Sequence, residues 1–192
     1  MIPITGRIVT TALLLGALLA PAGTAAGEVA APVTTGAVFN DPQGTTARKN
    51  AVKDHIIGAV NATQSGRTIR AALYALADQD YADALIAAHD RGVQVRVVLD
   101  SKYADRSAAR NVRTALGGDT ADGYLAHSKY LTVEGNYAGH PDTKWTFTGS
   151  HNLDHSSLRE NDEALLRLEG AAPHDAYKRN FLDMRAVATP VG

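Results

Sequence analysis

The 192-residue chain contains no cysteine. That excludes a disulfide framework and thiolate chemistry. No sign of charge predominates, with 19 Lys+Arg against 20 Asp+Glu. The chain therefore lacks the basic footprint of a dedicated nucleic-acid binder, although a local patch remains open. Aromatic residues make up only 6% of the chain, and the single tryptophan, Trp145, reads as a core or rim residue rather than a base-stacking platform. Beyond the N-terminus, no apolar run is long enough to span a membrane.

The N-terminus is set apart from the fold. Arg7 gives a short positive flank, and Ile8 to Ala20 is an apolar run of thirteen residues. That is short for a transmembrane helix. Pro21 breaks the run, and Thr24-Ala25-Ala26 places small residues at a cleavage site. This is the pattern of a secretory signal peptide over residues 1–26, so a secreted, extracellular protein is expected. Without Arg7 the chain has 18 Lys+Arg against 20 Asp+Glu, a net charge of −2. Residues 27–45 read as a flexible leader rich in Gly, Pro, Ala and Thr, with Ala37-Val38-Phe39 as a first edge strand and Asn40-Asp41-Pro42-Gln43-Gly44 as turn chemistry. The remaining stretch, 46–188, is long enough for one domain with its own core.

Within that stretch the hydrophobic rhythm alternates. Val52, Ile56, Ile57 and Val60 put a helix over 49–60. Thr68 to Tyr74 reads as a strand, and Tyr81 to Asp90 as a second helix closed by Gly92. Val93 to Asp100 is the clearest strand, and its apolar end suits burial on both faces. Strand, helix and strand in this order imply a right-handed parallel crossover. A weaker helix follows over 104–116. Further strands are expected at 130–133, 144–148 and 164–168, with a polar loop over 135–143 and a terminal helix over 174–187 carrying Tyr177, Phe181 and Met184 on one side. The class is α/β, a mixed β-sheet flanked by helices.

Two strings carry the chemistry: His127-Ser128-Lys129 and Gly149-Ser150-His151-Asn152, followed by Asn161-Asp162-Glu163. Alternate residues of a strand share a face, so His127 and Lys129 point into one space. Glycine at the end of a strand permits a sharp turn and close backbone approach, and Ser150 and Asn152 can again share a face. An imidazole, an ammonium, a hydroxyl, a carboxamide and a carboxylate in one pocket suit attack on a phosphodiester by histidine. His140, His151 and His155 lack the spacing of a metal site, and no metal or other cofactor is expected.

These residues closely resemble the phospholipase D superfamily, whose signature is His-x-Lys-x4-Asp followed by Gly-Ser-x-Asn and a downstream acid, often as Asn-x-Glu. The segment from Ile69 through Asp100 also looks like the first half of such a domain. The resemblance implies that His127 attacks phosphorus to form a phosphohistidine. It implies that Lys129 and Asn152 hold the non-bridging oxygens, with Ser150 near them. Glu163 then accepts a hydrogen bond from the second imidazole nitrogen of His127.

Two departures follow. Glu134 stands where the family has Asp, at a position thought to be structural. The chain also carries one motif, whereas the mechanism needs a second histidine to protonate the leaving group. A homodimer completing the active site is the favoured explanation. The other is an abridged two-motif enzyme, suggested by the glycine-rich, polar stretch 117–123, which leaves only Tyr124-Leu125-Ala126 as a strand before His127. The expected activity is hydrolysis of a phospholipid, with phosphatidylcholine the first choice. A metal-independent endonuclease acting as a homodimer is the alternative, and an inactive phosphate- or lipid-binding relative is a third reading. A Lys/Arg-lined groove would favour nucleic acid; an apolar rim would favour lipid.

Overall fold

A computed structural model describes residues 35–191 apart from residue 138. The segment 1–26, expected to be a signal peptide, lies outside the described residues, as do leader residues 27–34. One eight-stranded sheet organises the chain, in the order β1-β7-β6-β5-β2-β3-β4-β8. The strands are β1 (Gly36–Phe39), β2 (Thr68–Leu73), β3 (Gln94–Asp100), β4 (Thr120–Tyr124), β5 (Lys129–Tyr137), β6 (His140–Gly149), β7 (Ala164–Glu169) and β8 (Thr189–Pro190). The helices are α1 (Thr46–Lys49), α2 (Ala51–Ala62), α3 (Gln79–Asp90), α4 (Ser107–Leu116), α5 (His155–Arg159) and α6 (Ala171–Val187). β2, β3 and β4 run parallel, and the other pairings are antiparallel. This is the expected mixed α/β sheet.

Side-chain alternation divides the core between the two faces. Leu131, Val133 and Tyr137 of β5 join Val52 and Ile56 of α2, Leu85 of α3 and Val112 of α4 in the larger cluster. Tyr130 faces the other way and packs with Ala72, Val98, Phe181 and Met184 beneath α6. Trp145 is fully buried in the larger cluster. The expected side of the terminal helix, Tyr177, Phe181 and Met184, is the one that packs.

Three expectations are corrected. The polar stretch 135–143 is not a loop, because β5 continues to Tyr137 and pairs with β6 through Gly135↔Thr143 and Tyr137↔His140. The third helix begins at Ser107 rather than at Ala104. The strand before His127 is Thr120–Tyr124, not Tyr124-Leu125-Ala126. Thr120 and Ala121 are small enough to bury completely against Val97 and Val98, so a segment that looks polar and glycine-rich still adds a strand. Gly123, at φ 75°, supplies the irregularity that turns the chain out toward His127.

Candidate active site

Strand direction gathers the motif residues at one end of the sheet. β5 runs antiparallel to β2, so the start of β5 lies beside the end of β2, with Leu73 opposite Lys129. The Tyr74 N–H donates to the Ser128 carbonyl at 2.8 Å and fixes the approach of the His127 segment. His127 is exposed. Its ring packs against that of Tyr74, with centroids 4.4 Å apart. Lys129 Nζ lies 5.1 Å from the Tyr74 centroid and donates to the His127 carbonyl at 3.2 Å. Histidine and lysine therefore share one side, as their spacing predicts.

The second string reaches the same place through the loop after β6. Leu76 and Leu153 form a parallel bridge, and the Ala77 and Asp78 N–H groups donate to the Leu153 carbonyl at 2.8 and 2.9 Å. These bonds tie the loop to the end of β2. Tyr74, Lys129, His151 and Asn152 then line a small cleft floored by Leu73, Leu131 and Phe147. Asn152 Oδ1 is buried and has no partner among the described residues. His151 is only 3% exposed and belongs to the cleft wall. Burial pushes its pKa down, the Ala164 backbone and Glu163 push it back up, and Lys129 lowers it, for a net value below the ordinary 6.5. A neutral imidazole follows.

Gly149 sets the close approach of β6 and β7. A Cβ there would lie 2.0 Å from the Ala164 carbonyl oxygen, so no other residue fits. The Ser150 N–H donates to that carbonyl, and the Ala164 N–H donates to Ser150 Oγ, both at 3.1 Å. Ser150 Oγ donates to Glu163 Oε2. Asn161 Nδ2 donates to Glu163 Oε1 at 3.3 Å. The expected bond between Glu163 and His127 is not among the hydrogen bonds of the described residues. Glu163 and Ser150 flank the β6–β7 closure, and both carboxylate oxygens are used within it.

Sequence reading missed Asn40. It is 3% exposed, accepts from the Glu163 N–H at 2.7 Å and donates through Nδ2 to the Asn161 carbonyl at 2.9 Å. Asn40 belongs to an apparent turn, and nothing local signals a partner more than a hundred residues away. Tyr74 was also missed as a site residue, although the strand it terminates was legible. Beyond it, the Tyr103 ring meets Tyr74 edge-on at 4.7 Å, with Lys102 Nζ at 5.3 Å and Arg106 Cζ at 5.7 Å from the Tyr103 centroid.

Glu134 lies apart from this site. It follows Lys129 by five residues, an odd number, which places it on the opposite face. There it pairs with Arg70 at 2.9 Å, His174 at 3.4 Å and Lys178 at 3.8 Å. Among the described residues no group of three or more His, Cys, Asp or Glu is arranged to hold a metal ion.

Known proteins share this fold. The family model described as "Cardiolipin synthase, PLD-like domain" matches residues 56–185, which is most of the chain. The phospholipase D of Rickettsia bellii is 30% identical over 118 residues, covering 59% of this chain and 54% of that protein. The mitochondrial cardiolipin hydrolase of Xenopus tropicalis is 27% identical over 120 residues, covering 60% and 53%. The chain thus matches about half the length of these relatives. Nuc from Salmonella typhimurium, a phospholipase D family member, superposes with a TM-score of 0.63 at 18% identity, covering 82% of this chain and 97% of Nuc. With the family model spanning most of its sheet and both motif strings, the chain belongs to the phospholipase D superfamily of phosphodiesterases.

Proposed function

We propose that the protein hydrolyses phospholipid phosphodiester bonds through a phosphohistidine intermediate. The observation that carries this reading is that His127 and Lys129 both lie against the Tyr74 ring, and that Tyr74 lines one cleft with Lys129 and Asn152. An imidazole nitrogen of His127 attacks phosphorus, the bond to the leaving oxygen breaks, and that oxygen takes a proton. Water then attacks the phosphohistidine, giving a phosphomonoester and free His127. Lys129 supplies positive charge, and the Asn152 amide supplies a donor, to non-bridging oxygens that gain charge in the transition state. Ser150 and Glu163 act one shell away, closing the β6–β7 turn that carries Asn152.

Two features of the surface support a lipid. Leu125 is 83% exposed two residues before His127, and Phe39 is 65% exposed at the same end of the sheet. Apolar side chains beside a phosphodiester site suit an interface with acyl chains. The single His-x-Lys string supports a second element of the reading. His151 is walled in, so the leaving-group acid comes from the His127 of a second copy in a symmetric dimer. The N-terminal segment supports export before this activity is expressed.

The test is turnover of a chromogenic phosphodiester in excess EDTA, beside His127→Ala. Turnover that survives EDTA and is lost in the variant supports the reading. Equal turnover in the variant overturns it. Full activity of a strictly monomeric protein, measured by light scattering at assay concentration, overturns the two-chain site.

A further inference from the structure

Tyr74 is assigned no step in the reaction above, yet its ring touches two groups that are. The His127 ring lies 4.4 Å from it, tilted by 57°, and Lys129 Nζ lies 5.1 Å from its centroid. Tyr74 is held from two sides. Its own N–H donates at 2.8 Å to the carbonyl of Ser128, the residue between His127 and Lys129, so backbone and ring grip the same tripeptide. On the other side Tyr103 meets the ring edge-on at 4.7 Å, with the two hydroxyls 3.5 Å apart. Tyr74 is half-buried, whereas His127 is exposed. The ring thus gives an exposed imidazole a fixed wall to rest on.

The chemistry gives that wall an electrostatic use. A nitrogen lone pair of neutral His127 forms the bond to phosphorus, and the P–O bond to the leaving group breaks, its electron pair going with the oxygen. The imidazole then carries a positive charge until its other nitrogen gives up a proton. A carboxylate bonded to that nitrogen would balance the charge, but both oxygens of Glu163 are engaged, by Ser150 and Asn161. The face of a phenol ring attracts a cation within about 6 Å of its centroid. That attraction grows as the charge develops, so it lowers the barrier rather than tightening ground-state binding. Resting on the phosphodiesterase reading, we propose that Tyr74 is a positioning residue: its ring, braced by Tyr103, seats His127 beside Lys129 and stabilises the imidazolium that forms as His127 attacks phosphorus.

The test alters the charge distribution of the ring in the full chain while keeping its shape. Tyr74→Phe removes only the hydroxyl and is the reference; progressively fluorinated counterparts of that phenylalanine drain the negative face step by step. Single-turnover release of the leaving group from the chromogenic diester reports the attack step alone. Its rate is expected to fall along the series by about tenfold, with the half-saturating diester concentration unchanged. A flat series in a protein that turns over overturns the inference and leaves the phosphodiesterase reading standing. A wild type without turnover overturns that reading, and the inference with it. A higher half-saturating concentration at constant rate makes Tyr74 a substrate contact and also overturns the inference. The ring-proton NMR resonances of His127 read the seating without turnover. In Tyr74→Leu the ring-current displacement is lost, and they move toward the values of a free histidine; unchanged resonances overturn the seating. Where Tyr74→Leu fails to fold, Tyr103→Leu withdraws the brace instead. The same resonances then move in the same direction by a smaller amount, and unchanged resonances again overturn it.

Discussion

Strand β5 carries two charged positions with opposite fates. Lys129, at its start, has no carboxylate partner among the described residues and reaches only a backbone carbonyl and a tyrosine ring. Glu134, five residues on and on the other face, meets Arg70, His174 and Lys178. Beside it, Lys144 and His174 both bond Asp175 at 2.8 Å. A charge left unpaired at the mouth of a cleft is available to a substrate. A charge saturated by neighbours holds the sheet to α6. The same motif thus leaves a free charge on one face of a strand and sets an ion-paired one on the other, where Glu134 serves the architecture.

The comparison breaks if the mouth proves structural or the saturated face proves catalytic. The largest expected effect is on His127→Ala, which lowers chromogenic diester turnover by at least about 10³-fold. Its melting temperature stays within about 1 °C of wild type, because the side chain is exposed. A large loss of stability would place His127 with the structural residues instead. Glu163→Gln lowers kcat by about 10- to 100-fold, as expected when a supporting hydrogen bond is weakened. A normal rate in that variant excludes any orienting role for Glu163 through Ser150.

Stability effects come next. Gly149→Ala costs at least about 3 kcal/mol in denaturant unfolding, because the added methyl meets the Ala164 carbonyl and the strands must part. Asn40→Ala costs about 1–3 kcal/mol, since it strands the Glu163 N–H and the Asn161 carbonyl, and it lowers activity alongside.

The smallest effect sharpens the comparison from the saturated face. Burial pushes the Glu134 carboxyl up. The Arg70 hydrogen bond, with the charges of Arg70, His174 and Lys178, outweighs that and holds it below its ordinary 4.5. Asp175 is pulled down to about 2, by its hydrogen bond from Lys144 and then by His174. A carboxyl depressed in the folded state stabilises fully above its unfolded pKa and loses that contribution as pH falls through the folded value. Glu134→Gln therefore costs roughly 1 kcal/mol at neutral pH, discounted for its partial exposure. The gap between variant and wild type closes as pH drops below 4.5. A gap that persists at low pH would show that packing, not charge, carries the position.

The elements were legible where apolar periodicity is strong. β2, α3, β3 and the packing side of α6 fall close to their expected places, because burying an apolar face depends mainly on local spacing. The hairpin over 135–143 was not legible, because its polar residues are held by cross-strand pairing that no local pattern encodes. β4 hid for the same reason, since Thr120 and Ala121 become core only against Val97 and Val98. In the site, the spacing of His127 and Lys129 and the need for Gly149 could be read directly. Asn40 could not, nor could the engagement of Glu163 by Ser150 rather than His127.

The sequence alone determined the chemical inventory: which side chains can attack, which can hold charge, and by parity which of them share a face. Only the tertiary structure decided their company. The stitch of Leu153 to the end of β2 brings Asn152 into the same cleft as Lys129, and the β3–α4 turn sets Tyr103 against Tyr74. Those contacts join segments far apart in the chain, and their energies come from burial and pairing across the sheet, which no single segment carries.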